Sequence, residues 1–200
     1  YFTKSVVTEG MDYIRGVMGK VERHRFIPSQ NQHEAHLDTA LAIGHGQTIS
    51  QPTVVAHMTE ALKLRSEDRV LEIGTGCGYQ TAILAQIARE VFTIEILEPL
   101  ANQSRELLTK LNYTNIQFRL GDGYSGWPEA APFDKIIVTA APPKIPEPLL
   151  DQLKPGGRIT IPVGVLSQKL LLIEKTPEGF REEIIFPVRF VPMTGTAQGE

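Results

Sequence analysis

Cysteine is almost absent from these 200 residues: Cys77 is the only one. A single thiol forms no internal disulfide, which fits a reducing compartment, so a cytoplasmic protein is expected. No histidine stands near Cys77 in sequence, and it reads as a small residue tolerated in a loop rather than as a nucleophile. No apolar run reaches the length of a membrane-spanning helix. Nothing in residues 1–20 resembles the apolar core of a signal peptide. An excess of basic residues is missing too, since 20 Lys and Arg face 23 Asp and Glu for a net charge of −3. That balance provides no general grip on nucleic acid. His33 and His36 have ligand-like spacing but no Cys or HExxH partner, so no metal is expected. Internal repeats and low-complexity tracts are lacking as well. A chain with 42% hydrophobic and 22% charged residues is globular, and its length suits one domain.

What is present is an alternation of short apolar runs. Val6, Val7, Ile14, Val17, Met18 and Val21 approximate a helical stripe over residues 5–23. Residues 26–50 are rich in His, Gln, Asn and Gly and hold no period. Ser50 then reads as an N-cap, with Pro52 in the first turn of a helix carrying Val54, Val55, Met58, Ala61 and Leu62. From residue 69 onward the pattern predicts strand 69–73, helix 79–88, strand 91–95, helix 98–111, strand 116–120 and strand 134–139. A helix near 146–153 and a strand 157–162 follow. Such alternation implies an α/β fold, a doubly wound, mostly parallel sheet with helices on both faces. The end changes character: strands 169–174 and 183–191 are joined through Thr176-Pro177-Glu178-Gly179, a turn composition that predicts an antiparallel hairpin.

The run Leu71-Glu72-Ile73-Gly74-Thr75-Gly76-Cys77-Gly78-Tyr79 sits at the corner between the first of these strands and its helix. In an open parallel sheet, nucleotide-like cofactors bind at that corner. A dinucleotide fingerprint, G-x-G-x-x-G/A, would place a small residue where Tyr79 stands. Gly74, Gly76 and Gly78 preceded by the acid Glu72 suit S-adenosyl-L-methionine better, because it carries an ammonium and a sulfonium and no phosphate. A second acid, Glu95, closes the next strand about twenty residues on, the reach needed for ribose hydroxyls. Asp122 and Gly123 follow the strand 116–120, where a carboxylate can accept from an adenine amino group.

Several segments together carry a family resemblance. Gly44-His45-Gly46-Gln47-Thr48-Ile49-Ser50-Gln51-Pro52, Leu71 to Thr81, Gly121-Asp122-Gly123, Ile136 to Pro142 and Arg189-Phe190-Val191-Pro192 resemble the signature segments of protein-L-isoaspartate O-methyltransferases, in wording similar to the bacterial branch. The resemblance implies methyl transfer from S-adenosyl-L-methionine to the α-carboxylate of L-isoaspartyl residues in aged proteins and peptides, followed by collapse to a succinimide. It implies Ser50 as the active-site serine and Thr48, Ile49, Glu72, Gly74, Gly76, Gly78, Gln80, Glu95, Asp122 and Gly123 as cofactor positions. Ser50, Thr139 and Val191 would face the acceptor, and residues 1–50 would lie over the cleft. A monomer without nucleic-acid or membrane partners is the expectation. His36, Ile96 and Leu97 depart from the family's usual aromatic and polar residues at those places.

The chemistry is consistent with the residues on hand. A carboxylate acceptor is already ionised at neutral pH and needs no general base, so catalysis reduces to alignment of two bound groups. Two alternatives stay open: a methyltransferase of the same fold acting on a small molecule or RNA, and a non-catalytic protein that binds S-adenosyl-L-methionine or an aged-protein surface. The Gly44 to Ser50 segment argues against the first. Retention of Ser50 and all three glycines argues against the second.

Overall fold

The structure is a computed structural model and describes residues 9–199. Val6 and Val7 of the expected first helix lie outside the described residues; the helix itself, α1, spans Glu9–Met18 and buries Met11, Ile14 and Val17. After α1 come a small hairpin, β1 (Leu41–Gly44) and β2 (Gln47–Ile49), and helix α2 (Pro52–Leu62). The alternating region follows as β3 (Arg69–Ile73), α3 (Tyr79–Ala85), β4 (Glu90–Glu95), α4 (Glu98–Lys110), β5 (Ile116–Leu120), β6 (Phe133–Val138), α5 (Glu147–Asp151) and β7 (Leu153–Val163). Strands β8 (Gln168–Thr176) and β9 (Gly179–Val188) complete the chain's regular elements.

Seven strands form one sheet in the order β5-β4-β3-β6-β7-β8-β9. The first five are mutually parallel, and β8 and β9 turn back antiparallel, as the sequence pattern predicts. Successive side chains of a strand point to opposite faces, and here both faces are dry. Val70, Val91 and Ile137 join the apolar layer under α2, α3 and α4, while Leu71, Phe92 and Ile136 join a second layer with Leu149 and Leu153. Burial on both faces explains why these strands read as unbroken apolar runs.

Strands β7 and β9 depart most from the expected limits, and β9 starts at Gly179 rather than at 183. β7 begins at Leu153, four residues early, and its register slips between Phe133 and Lys135 of β6, where Gly156 takes a left-handed φ of 74°. Strand β9 ends at Val188 rather than at 191, and the chain then crosses the sheet's end instead of extending it. Its path is pinned by Ala141, whose N–H donates to Val191 O and whose carbonyl accepts from Met193 N, both at 2.8 Å.

The segment without a period is ordered by polar contacts. Arg23, only 7% exposed, directs its guanidinium at the carbonyls of Ala35 (2.9 Å), Thr39 (2.8 Å) and Ser50 (3.1 Å). A guanidinium offers five donors in a fixed fork, so one side chain gathers three distant stretches of backbone. The hairpin turn places His45 at φ 54° and Gly46 at φ 72°, the left-handed pair of a tight two-residue turn.

Candidate active site

The strand order reverses between β3 and β6, and a cavity opens there at the carboxyl ends of β3, β4 and β6. This is the switch point at which open α/β sheets hold ligands. Gly74 (φ 93°) and Gly76 (φ 53°) form its floor, both in the left-handed region that favours glycine. A Cβ on Gly74 would stand 2.4 Å from Thr139 Oγ1, which itself donates to Gly74 O at 2.7 Å. Glu95 at the end of β4 faces the same space. Its two oxygens accept from Gly76 N (2.8 Å) and Leu97 N (2.9 Å), so the carboxylate is fixed while its remaining lone pairs stay free for a ligand. Thr48, Ile49, Gln80 and Gly123 also line this cavity. Among its lining residues Glu95 is the one formal charge, and no Lys or Arg is present. A pyrophosphate would find no counter-charge there, whereas a cationic nucleoside ligand would.

A second cavity lies between α2 and the end of β9, lined by Gln51, Val54, His57, Phe186, Val188 and Arg189 among others. Thr48, Ser50 and Thr139 line both cavities. These three hydroxyl side chains therefore form the partition between the two spaces. Val191 lines the first cavity and the adjoining Phe190 the second.

The structure corrects the reading of Ser50 as a helix cap. The N-cap of α2 is Gln51, and its side chain makes no capping bond. Asp38 supplies the cap from a distance: its carboxylate accepts from Thr53 N (2.8 Å), Thr53 Oγ1 (2.7 Å) and Gln51 Nε2 (2.9 Å). Slight burial opposes ionisation of Asp38, but the hydrogen bonds from Gln51 and Thr53 outweigh it and hold the carboxyl below its ordinary value. The anion-friendly helix N-terminus is thus occupied by a protein carboxylate. Ser50 contributes its carbonyl to Arg23 and its half-buried side chain to the partition.

Three expected cofactor positions, Glu72, Gly78 and Asp122, are not among the residues that line the cavity. Glu72 is fully buried and accepts from Thr81 Oγ1 (2.5 Å) and Thr93 Oγ1 (2.7 Å). Burial pushes its carboxyl up to about 8 against these hydrogen bonds, with the nearby Glu95 charge acting the same way as burial. Glu72 is therefore mostly protonated at pH 7 and supplies no counter-charge to a sulfonium, contrary to the expectation from its position in the strand. The reason is side-chain direction: Glu72 points into the sheet's packed face, where the pairing of β3 between β4 and β6 excludes water. Gly78 starts α3 at φ 88°, and a Cβ there would meet Leu108 at 2.9 Å, so it permits close packing of α3 on α4. Asp122 bonds Tyr124 N (2.9 Å) and Thr196 N (2.8 Å), tying the chain's end to β5.

Sequence patterns assigned no role at the site to His57, Phe186 or Arg189. The first two meet edge to face with ring centroids 5.2 Å apart. They come from a helix and an edge strand more than a hundred residues apart, and only the Arg189-Phe190 wording hinted at this wall.

The family model described as Protein-L-isoaspartate(D-aspartate) O-methyltransferase (PCMT) matches residues 4–198. Protein-L-isoaspartate O-methyltransferase 1 of Nitrosospira multiformis is 58% identical over 181 residues, covering 89% of this chain and 77% of that protein. The Picosynechococcus enzyme is 52% identical over 186 residues, covering 93% of this chain and 84% of its own. A solved protein-L-isoaspartate O-methyltransferase superposes with a TM-score of 0.87 at 28% identity over 96% of this chain, which spans 63% of that one. The Plasmodium falciparum protein of that description, in complex with S-adenosyl-L-homocysteine, gives a TM-score of 0.79 at 27% identity, covering 92% of this chain and 90% of its own.

Proposed function

Because the chain belongs to the protein-L-isoaspartate(D-aspartate) O-methyltransferase family, we propose that it transfers a methyl group from S-adenosyl-L-methionine to the α-carboxylate of L-isoaspartyl residues in aged proteins and peptides. The ester so formed starts repair by collapsing to a succinimide. One observation supports this reading above the others: two cavities share a wall of hydroxyl side chains, Thr48, Ser50 and Thr139. Methyl transfer between two bound molecules requires such adjacency.

The cofactor cavity fits its ligand by charge and by backbone. Gly74 and Gly76 keep the floor free of side chains, Glu95 would take the ribose hydroxyls, and Thr48, Ile49, Gln80 and Gly123 complete the walls. Glu72, Gly78 and Asp122 support that cradle from behind. When bound, the cofactor supplies an electrophilic methyl on a sulfonium. The protein's task is then placement, since an isoaspartyl carboxylate is ionised at neutral pH and carries its own nucleophilic lone pair. Holding two reactants in register supplies several kcal/mol of rate acceleration without acid–base chemistry. Ser50 is the residue proposed to hold the carboxylate, with Thr139 and Val191 shaping its approach. The lone thiol, Cys77, fits a cytoplasmic enzyme; among the described residues no helix is long and apolar enough to cross a membrane. A monomer acting without nucleic acid completes the reading.

Ser50→Ala tests it. The hydroxyl caps no helix, so the melting temperature should stay within about 2 °C of the parent. Loss of one hydrogen bond to a charged group should cut kcat/KM on an isoaspartyl peptide by roughly 10- to 150-fold. A peptide with Asp in place of isoAsp should be methylated poorly by the parent. Wild-type turnover in the variant would remove Ser50 from the site, and equal methylation of both peptides would refute the isoaspartyl assignment.

A further inference from the structure

The acceptor cavity is opposite in sign to the cofactor cavity. Arg189 is the one permanent charge among the residues lining it, and no carboxylate of the described residues stands within ion-pair distance of its guanidinium. The helix N-terminus beside it, which sequence alone would offer to an anion, is already filled by Asp38 through Thr53 N and Gln51 Nε2. An acidic acceptor entering this cavity therefore finds that helix N-terminus already occupied and needs a cation from elsewhere. We infer that Arg189 is the specificity-determining charge of the acceptor cavity, pairing with a carboxylate of the incoming isoaspartyl peptide and favouring acidic over neutral acceptors. The inference rests on the acceptor-cavity reading given above.

Arg189 is also carried on backbone that the fold holds firmly. Its neighbour Phe190 is clamped from both sides by the buried Gln168 amide, which accepts from Phe190 N (2.6 Å) and donates to Phe190 O (3.0 Å). One and three residues beyond Phe190, Val191 and Met193 are fixed on Ala141. The strap from Val188 to Met193 thus has separate anchors on its acceptor and cofactor halves. Arg189 itself stays exposed, as a residue that must meet a polypeptide arriving from solvent would be. Exposure limits what one charge can contribute, because solvent screens the pair.

The test compares Arg189→Met, Arg189→Lys and Val54→Trp in steady-state kinetics on an isoaspartyl peptide, with S-adenosyl-L-homocysteine affinity measured by calorimetry. Arg189→Met should raise the peptide KM about two- to fivefold, with kcat and S-adenosyl-L-homocysteine affinity unchanged. The parent's peptide KM should rise with added salt and the variant's should not. Lys should restore part of the loss. Val54→Trp fills the cavity at a position that lines only the acceptor side and should raise the peptide KM more strongly. An unchanged KM and unchanged salt response in Arg189→Met, beside a raised KM in Val54→Trp, would overturn the role of Arg189 and leave the cavity in place. An unchanged KM in folded Val54→Trp would overturn the acceptor-cavity reading itself. A parallel loss of S-adenosyl-L-homocysteine affinity in Arg189→Met would also overturn the inference, because the effect would then come from the strap and not from the charge.

Discussion

The glycine corner after β3 and the irregular segment from Arg23 to Ser50 meet at one site, yet they are ordered by different forces. The corner inherits its position from a sheet whose strands are dry on both faces: Val70, Leu71, Ile136, Ile137 and Val138 are fully buried. Hydrophobic burial stabilises that half by roughly 1.5–3 kcal/mol per large side chain. The irregular segment has few such residues and is gathered by charged side chains on backbone carbonyls and amides, chiefly Arg23 and Asp38. Apolar burial tolerates exchange among similar residues, whereas a single guanidinium bridging three carbonyls has no substitute. The segment that brings Ser50 to the partition should therefore be the more fragile partner.

Replacing Arg23 gives the largest contrast. Arg23→Leu strands the carbonyls of Ala35, Thr39 and Ser50, and each lost bond to a charged donor costs about 1.5–3 kcal/mol. Methyl transfer should fall below detection, and thermal melting should show a loss of at least about 3 kcal/mol. A variant that melts normally and retains activity would erase the distinction between the two regions.

Glu72 sharpens the comparison from the sheet side. Its carboxyl, pushed up to about 8 by burial, lies above the ordinary 4.5, so the folded protein keeps a proton that the unfolded chain gives up. Stability should therefore fall as pH rises through that window, with a slope of at most about 1.4 kcal/mol per pH unit from this one group. Glu72→Gln keeps an oxygen for Thr81 and Thr93 and should flatten the slope, leaving the variant more stable than the parent at pH 8. Denaturant titrations at pH 5 and pH 8 would show it. An unchanged slope would mean that Glu72 is ionised in the fold.

Asp38 gives the smallest effect and the opposite pH sign. Its folded-state pKa is lowered, so its contribution is present above the ordinary 3.8 and is lost as acid takes the pH down through the lowered value. Asp38→Ala should cost about 0.5–2 kcal/mol, the range for a helix N-cap. It should also remove a negative charge from the acceptor side and slightly lower the KM for an isoaspartyl peptide. A raised KM would show that the cap, and not the charge, governs that cavity.

Local pattern determined much of this protein. Strand-helix alternation, the glycines at the first corner, Glu95 at the end of β4 and the C-terminal hairpin all depend on residues close in sequence, and their period or spacing is readable there. What tertiary structure decided involves partners far apart in the chain. Asp38, fifteen residues before Thr53, took the capping role that adjacency assigned to Ser50. Glu72, next in line to a cofactor loop, lost contact with water because β4 and β6 flank β3 on both sides and both faces of the sheet are covered. Arg189 reached α2 only after β8 and β9 carried it across the sheet. A sequence pattern records which way a residue can point, but the neighbour it finds there, and so its charge and its role, is set by the packing of distant segments.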